Sequence, residues 1–130
     1  MFTNCLDCAA HPYFRALDGL RVSAHFYIRR GGALTQFVPV HRRAWHAGES
    51  NFNGRPRVND FSIGIELEGS DDQPFADCQY AALCRLTAAL RAGCPGLSRS
   101  RIVGHSDIAP GRKTDPGPCF DWNRYLNALH

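Results

Sequence analysis

Lysine is almost absent from this chain of 130 residues: Lys113 stands alone against fourteen arginines. Net charge is only +3, and the basic residues are dispersed apart from Arg29-Arg30 and Arg42-Arg43. With no basic run interleaved with aromatics, the chain carries no electrostatic footprint for nucleic acid. No apolar stretch approaches the ~20 residues that cross a bilayer, so no membrane partner is expected. The first eight residues, Met1 to Cys8, lack the basic head and apolar centre of a secretory signal. A soluble, cytoplasmic protein is therefore expected. There is no internal repeat and no linker, which predicts a single domain over 1–130. Six cysteines are present, and in this setting they are expected to be reduced thiols. Cys5-Leu6-Asp7-Cys8 is a lone pair without the second pair a zinc ribbon requires. No segment points to an obligatory protein partner.

What is present is periodicity. Residues 1–19 read as loop with a short helix around Tyr13 to Leu17. Val22, Ala24, Phe26 and Ile28 alternate with Ser23, His25 and Tyr27, the period of a strand. Arg30-Gly31-Gly32-Ala33 signals a hairpin turn, and Leu34 to Val38 reads as the return strand. The chain from His41 to Asp60 is polar and irregular. Phe61, Ile63, Ile65 and Leu67 alternate with Ser62, Gly64, Glu66 and Glu68, a second strand. Leu83, Leu86, Thr87 and Leu90 recur at helical spacing, which predicts a helix over 77–92 with Asp77 as its cap and Gly93 and Pro95 at its end; Cys84 falls in its core pattern. Arg101 to Gly104 reads as a short strand. Asp121 caps a last helix that buries Trp122, Tyr125, Leu126 and Leu129. Together these elements predict an α/β (α+β) domain, a mixed sheet with helices packed on it.

The candidate chemistry lies in Gly104 to Pro118. His105 and Asp115 are an imidazole and a carboxylate, both ligands for a borderline cation such as zinc. A Gly- and Pro-rich segment between them can fold back and bring them together. Lys113 and Asp115 are two apart, so in extended backbone they share a side. A metal-bound carboxylate with an ammonium beside it suits hydrolysis of a polarised carbonyl.

Glu66 and Glu68 lie on the polar face of an apolar strand, as general bases or as a solvated face. Glu66 is deeper in the run, so its pKa is the one expected to rise towards a useful value. His25 reads as a hydrogen-bonded histidine rather than a ligand. Trp45 and His46 suit a pocket wall, or simply pack their loop down. Arg21 and Arg57 can each bind a substrate carboxylate through a planar fork, or lie solvated at the surface.

Five blocks bring these residues into a recognisable order: Ala10 to Phe14, Leu20 to His25, Arg43 to Gly48, Asn59 to Gly69 and Gly104 to Gly117. They closely resemble the zinc N-acetylmuramoyl-L-alanine amidases, a family that includes phage T7-type lysozyme and the peptidoglycan recognition proteins. The resemblance is strongest to its cytoplasmic cell-wall-recycling members. It implies one zinc ion and an anhydro-muropeptide substrate, cut at the amide between anhydro-N-acetylmuramic acid and L-alanine. It implies His105 and Asp115 on the metal, Glu66 as general base and Lys113 near the oxyanion. It also implies Arg21 and Arg57 on stem-peptide carboxylates, with Trp45 and His46 on the pocket wall.

The family's third zinc ligand is a histidine at the end of a first, central strand, and Met1 falls past that segment. The expectation is a domain lacking that strand and that ligand, poorly stable alone, with no evident substitute in His11, His25 or Cys119. Two other functions are consistent with the same residues: a non-catalytic muropeptide-binding module or inactive remnant, and an endolysin-like amidase acting on intact wall.

Overall fold

The computed structural model describes residues 22–130. Its main sheet has three strands: β1 (Phe26–Ile28), β2 (Leu34–Gln36) and β5 (Ile65–Leu67), in the order β2-β1-β5. β1 and β2 form the antiparallel hairpin, with Tyr27 opposite Thr35, and Gly32 takes the positive φ of 84° at its turn. β1 and β5 are parallel, with Tyr27 beside Glu66. A second, two-stranded ladder joins β3 (Asn51–Phe52) to β4 (Arg55–Pro56) inside the stretch expected to be irregular. Asn51 Oδ1 accepts the Gly54 N–H and closes that turn. The hairpin escaped detection because two-residue strands have no period to read.

Three helices complete the described residues: α1 (Asp77–Gly93), α2 (His105–Ile108) and α3 (Trp122–Asn127). α1 buries Leu83, Leu86 and Thr87, the face that the spacing predicts. Its cap is Ala76 rather than Asp77. The buried Gln79 does the capping work instead: its Oε1 accepts the Ala76 N–H at 2.9 Å, and its Nε2 donates to the Glu68 carbonyl at 2.8 Å. One amide thus ties the start of α1 to the end of β5. Asp121 caps α3 as expected, its Oδ1 accepting the Arg124 N–H at 2.9 Å.

The apolar layer lies between the sheet and α1 and α3. Phe26 and Ile28 meet Tyr80, Leu83, Leu86, Phe120, Tyr125 and Leu129. Other expectations also fail, among them the strand over Phe61 to Leu67, of which only Ile65–Leu67 is paired. Val22 belongs to the alternating pattern yet is 56% exposed, because the strand begins only at Phe26 and residues 22–25 make a single bridge, Ser23 to Trp45. Residues 101–104 are not a strand; a 3-10 turn over Arg99–Arg101 leads through extended backbone into α2. Ile102, Val103 and Gly104 are too short an apolar run to distinguish a strand from an unpaired crossing segment. Cys84 packs against the core, and Cys78, Cys84, Cys94 and Cys119 are free thiols.

Candidate metal centre and amidase site

His105 opens α2, and the segment after it folds back. Lys113 N–H donates to the Ala109 carbonyl at 3.0 Å and Ser106 N–H to the Asp115 carbonyl at 3.0 Å. The turn thus places Asp115 against His105, with His105 Nδ1 3.2 Å from Asp115 Oδ2. The other ring nitrogen, Nε2, lies 3.0 Å from the Ala47 carbonyl. A carbonyl only accepts, so this contact is a hydrogen bond when Nε2 carries the proton; Nδ1 is the nitrogen turned to the carboxylate.

The spacing of this pair suits two of the three protein ligands that a catalytic zinc takes. Two ligand atoms about 2.0–2.1 Å from a tetrahedral zinc lie about 3.3 Å apart, and the observed separation is 3.2 Å. Without a cation, Nδ1 faces Asp115 either as a lone pair or as an N–H. Accordingly the His105 pKa is raised, first by its hydrogen bond to Asp115, and the Asp115 pKa is lowered, first by the same bond. Zinc can take the place of that proton. Among the described residues no group of three His, Cys, Asp or Glu gathers. His25 is unsuited as a further ligand: Nδ1 accepts the Gly64 N–H at 3.0 Å and Nε2 donates to the Arg42 carbonyl at 2.8 Å. His11 and Arg21, like Cys5 and Cys8, lie outside the described residues.

Glu66 projects from the middle of β5, between the inward-packing Ile65 and Leu67. It presents area to solvent and is yet crowded by protein, so its carboxyl pKa is raised. Burial is the first cause and the negative charge of Asp115 the second, with His105 and Lys113 opposing. The same electrostatic neighbourhood therefore holds Glu66, His105, Lys113 and Asp115. Glu68 is employed otherwise: its Oε2 accepts the Arg30 N–H at 2.7 Å, closing the β1–β2 turn.

His46 is half-buried, and its pKa is lowered to about 4, first by burial and then by His25 and His105. It is a neutral ring at physiological pH. Its Nε2 lies 3.3 Å from Ser62 Oγ. Trp45 is 37% exposed, with the Arg43 guanidinium 4.1 Å above its ring. Arg57 is apart from this cluster in its bonding: its Nε pairs with Asp60 at 3.0 Å and its side chain is 75% exposed.

Several residues that hold the site were not singled out from the sequence. Asn59 is buried, and its Oδ1 accepts the N–H groups of both His46 and Ala47, at 3.0 and 2.9 Å. Gly64 makes room for His46, since a Cβ there would lie 2.3 Å from the imidazole. A glycine inside an alternating strand is the signal that could have found it. Arg112 donates to the Ala47 carbonyl at 2.5 Å and to the Glu49 carbonyl at 2.8 Å.

A sequence profile for N-acetylmuramoyl-L-alanine amidases matches residues 1–118. The chain belongs to the N-acetylmuramoyl-L-alanine amidase family. Among curated relatives, it is 54% identical over 128 residues to the 1,6-anhydro-N-acetylmuramyl-L-alanine amidase AmpD of Haemophilus influenzae. That match takes in 98% of this chain and 70% of the relative. Identity to AmpD of Escherichia coli is 54% over 125 residues, covering 96% and 68% of the two chains. Among solved structures, a selenomethionine AmpD crystal structure superposes with a TM-score of 0.91 at 52% identity, over 96% of this chain and 69% of that one. The amidase AmiD of E. coli, in complex with anhydro-N-acetylmuramic acid-L-Ala-D-γ-Glu-L-Lys, superposes with a TM-score of 0.79 at 34% identity, over 90% and 51%. The mixed sheet with packed helices is thus the fold of this amidase family.

Proposed function

We propose that the chain is a zinc-dependent amidase that hydrolyses the amide between anhydro-N-acetylmuramic acid and L-alanine in muropeptides, within cytoplasmic peptidoglycan recycling. The observation that carries this reading is the 3.2 Å approach of His105 Nδ1 to Asp115 Oδ2 beside the raised carboxyl of Glu66. The names of the AmpD relatives and the muropeptide bound to AmiD support the substrate. Among the described residues no helix is long and apolar enough to cross a membrane.

His105 and Asp115 would hold the metal, which would supply Lewis-acid polarisation of the scissile carbonyl and a water of pKa about 7. Glu66 accepts the proton of the attacking water as the water oxygen bonds to the lactyl carbonyl carbon. It then delivers that proton to the alanine nitrogen as the C–N bond breaks. A carboxyl raised above its ordinary range is better matched to both transfers than a solvated one. Lys113 donates to the oxyanion of the tetrahedral intermediate; one such donor is typically worth about 10²–10³ in rate. Trp45 and the neutral His46 wall the pocket, and Arg57 and Arg21 receive stem-peptide carboxylates.

The test is Glu66→Gln, assayed for release of the stem peptide from anhydro-muropeptide and for bound zinc. Turnover is expected to fall about 10²–10⁴-fold with the zinc content unchanged. Normal hydrolysis by this variant would place the base elsewhere. A wild-type chain that binds muropeptide, loses zinc on dialysis and shows no turnover would be a binding module instead.

A further inference from the structure

We propose that Arg112 is a positioning residue: it holds the Ala47 carbonyl, and that carbonyl selects the imidazole tautomer that leaves His105 Nδ1 free for metal. The proposal rests on His105 being a zinc ligand.

A neutral His105 has one ring proton and two acceptors competing for it, Asp115 Oδ2 at 3.2 Å from Nδ1 and the Ala47 oxygen at 3.0 Å from Nε2. If Asp115 wins, Nδ1 carries the proton and cannot bind zinc. If the Ala47 carbonyl wins, Nδ1 offers its lone pair beside the carboxylate. The outcome depends on how firmly that carbonyl is aimed at Nε2.

Arg112 aims it. Nη2 donates to the Ala47 carbonyl at 2.5 Å and to the Glu49 carbonyl at 2.8 Å, and Nε adds a contact to Glu49 at 3.2 Å. With His105 as the second donor, both lone pairs of the Ala47 oxygen are used. The other end of residue 47 is also fixed, its N–H bound to the buried Asn59. Gly48 completes the clamp. It has φ +60°, and a Cβ there would lie 2.9 Å from Arg112 Nη2. The guanidinium thus occupies the space that a side chain at 48 would take. Nη2 donates to both carbonyls and Nε adds a third contact, and the planar guanidinium fixes these donors relative to one another; an ammonium lacks the second nitrogen and does not fix the direction of its donors. Arg112 is also only three positions before Asp115, so it joins the loop carrying one ligand to the carbonyl that orients the other.

The experiment uses the whole chain and two readouts, neither of which is turnover. Zinc affinity is measured by competition with a chromophoric chelator. The His105 tautomer is read from imidazole ¹⁵N shifts of metal-free protein, at a pH where the ring is neutral. Arg112→Ala is expected to weaken zinc about 10–100-fold, the range for a lost outer partner of a ligand, and to move the tautomer towards Nδ1–H. Arg112→Lys, which keeps the charge and the stem, is expected to fail in the same way. Methylguanidinium added to Arg112→Ala is expected to recover part of the affinity. Wild-type affinity, or reduced affinity with an unchanged tautomer, in a folded Arg112 variant overturns the proposal. Should Arg112→Ala not fold, Arg112→Lys decides alone by the same two measurements. His105→Ala separates the two claims. If it binds zinc like the wild type, the metal assignment fails, whereas the tautomer shift still judges Arg112.

Discussion

Two apolar clusters in this molecule are built in different ways. The larger one joins Phe26 and Ile28 of the sheet to α1 and α3 and includes Tyr80, Phe120 and Tyr125. The smaller is three buried residues, Ala47, Val58 and Ile108, with Phe52 and Phe61 packed against them. Three side chains bury too little area to hold a loop of this length. Polar bonds hold it instead: Asn59 to two backbone N–H groups, Ser50 Oγ to the Val58 N–H and Gly48 carbonyl, and Ser62 Oγ to the Val58 carbonyl. His46, the Ala47 carbonyl and α2 with His105 all belong to the smaller unit. Stability is thus concentrated in the first region, and most of the candidate chemistry hangs on the second.

Phe120→Ala is the strongest test of that division. Phe120 is buried and meets Phe75, Tyr80, Trp122 and Tyr125 with ring centroids 4.8–5.8 Å away. Its truncation should cost about 3–5 kcal/mol, seen as a lower midpoint in urea. Zinc affinity per folded molecule should not change. A folded variant that had lost its zinc would show that the two regions are one unit.

Acid should reach the smaller region first. Its His46 has a folded pKa of about 4 against 6.5 for the free ring. The unfolded chain therefore binds more protons between these values, and stability falls as pH drops from about 6.5 towards 4. A shift of that size corresponds to about 3 kcal/mol in full. Hydrogen exchange should show the amides of residues 45–62 losing protection across this window before those of α1. His46→Gln should flatten the slope, and a slope that survived it would belong to another group.

The larger region was legible because its elements repeat. Leu83, Leu86 and Thr87 mark the buried face of α1, and Ile65 and Leu67 alternate with Glu66. That His105 and Asp115 come together was also legible, since a Gly- and Pro-rich segment able to turn back needs no knowledge of the rest of the fold. The smaller region has no period. Its hairpin strands are two residues each, and Asn59 and Arg112 act through backbone groups rather than through partners a pattern would display. At 101–104 short apolar content suggested a strand that no neighbour pairs. The cap of α1 was missed for a similar reason: Gln79, the third residue of that helix, does what Asp77 was expected to do.

Asn59→Ala examines the polar scaffold directly. It removes the acceptor from two N–H groups, one of them buried on Ala47. The expected loss is about 2 kcal/mol, smaller than that of Phe120→Ala. Unlike Phe120→Ala, it should also lower zinc affinity, because the Ala47 carbonyl moves with its peptide. A variant that lost stability alone would mean the carbonyl is placed by other contacts.

The smallest expected effect comes from two glutamates two positions apart, Glu66 in β5 and Glu68 just past its end. Glu68 bonds the Arg30 N–H at 2.7 Å and so closes the hairpin, whereas the Glu66 carboxyl is held in an environment that disfavours its charge. Glu68→Ala should therefore lower stability by about 1 kcal/mol and leave hydrolysis within a small factor of wild type. Glu66→Gln should do the reverse. Because a raised carboxyl pKa means that the folded state opposes ionisation, stability contributed by the protonated form is lost as pH rises past the ordinary carboxylate value. Removing that charge should leave the melting temperature at pH 7 unchanged or higher while turnover collapses. If both variants lost stability and kept activity, the polar face of β5 would be scaffold throughout, and the base would have to be sought on another strand.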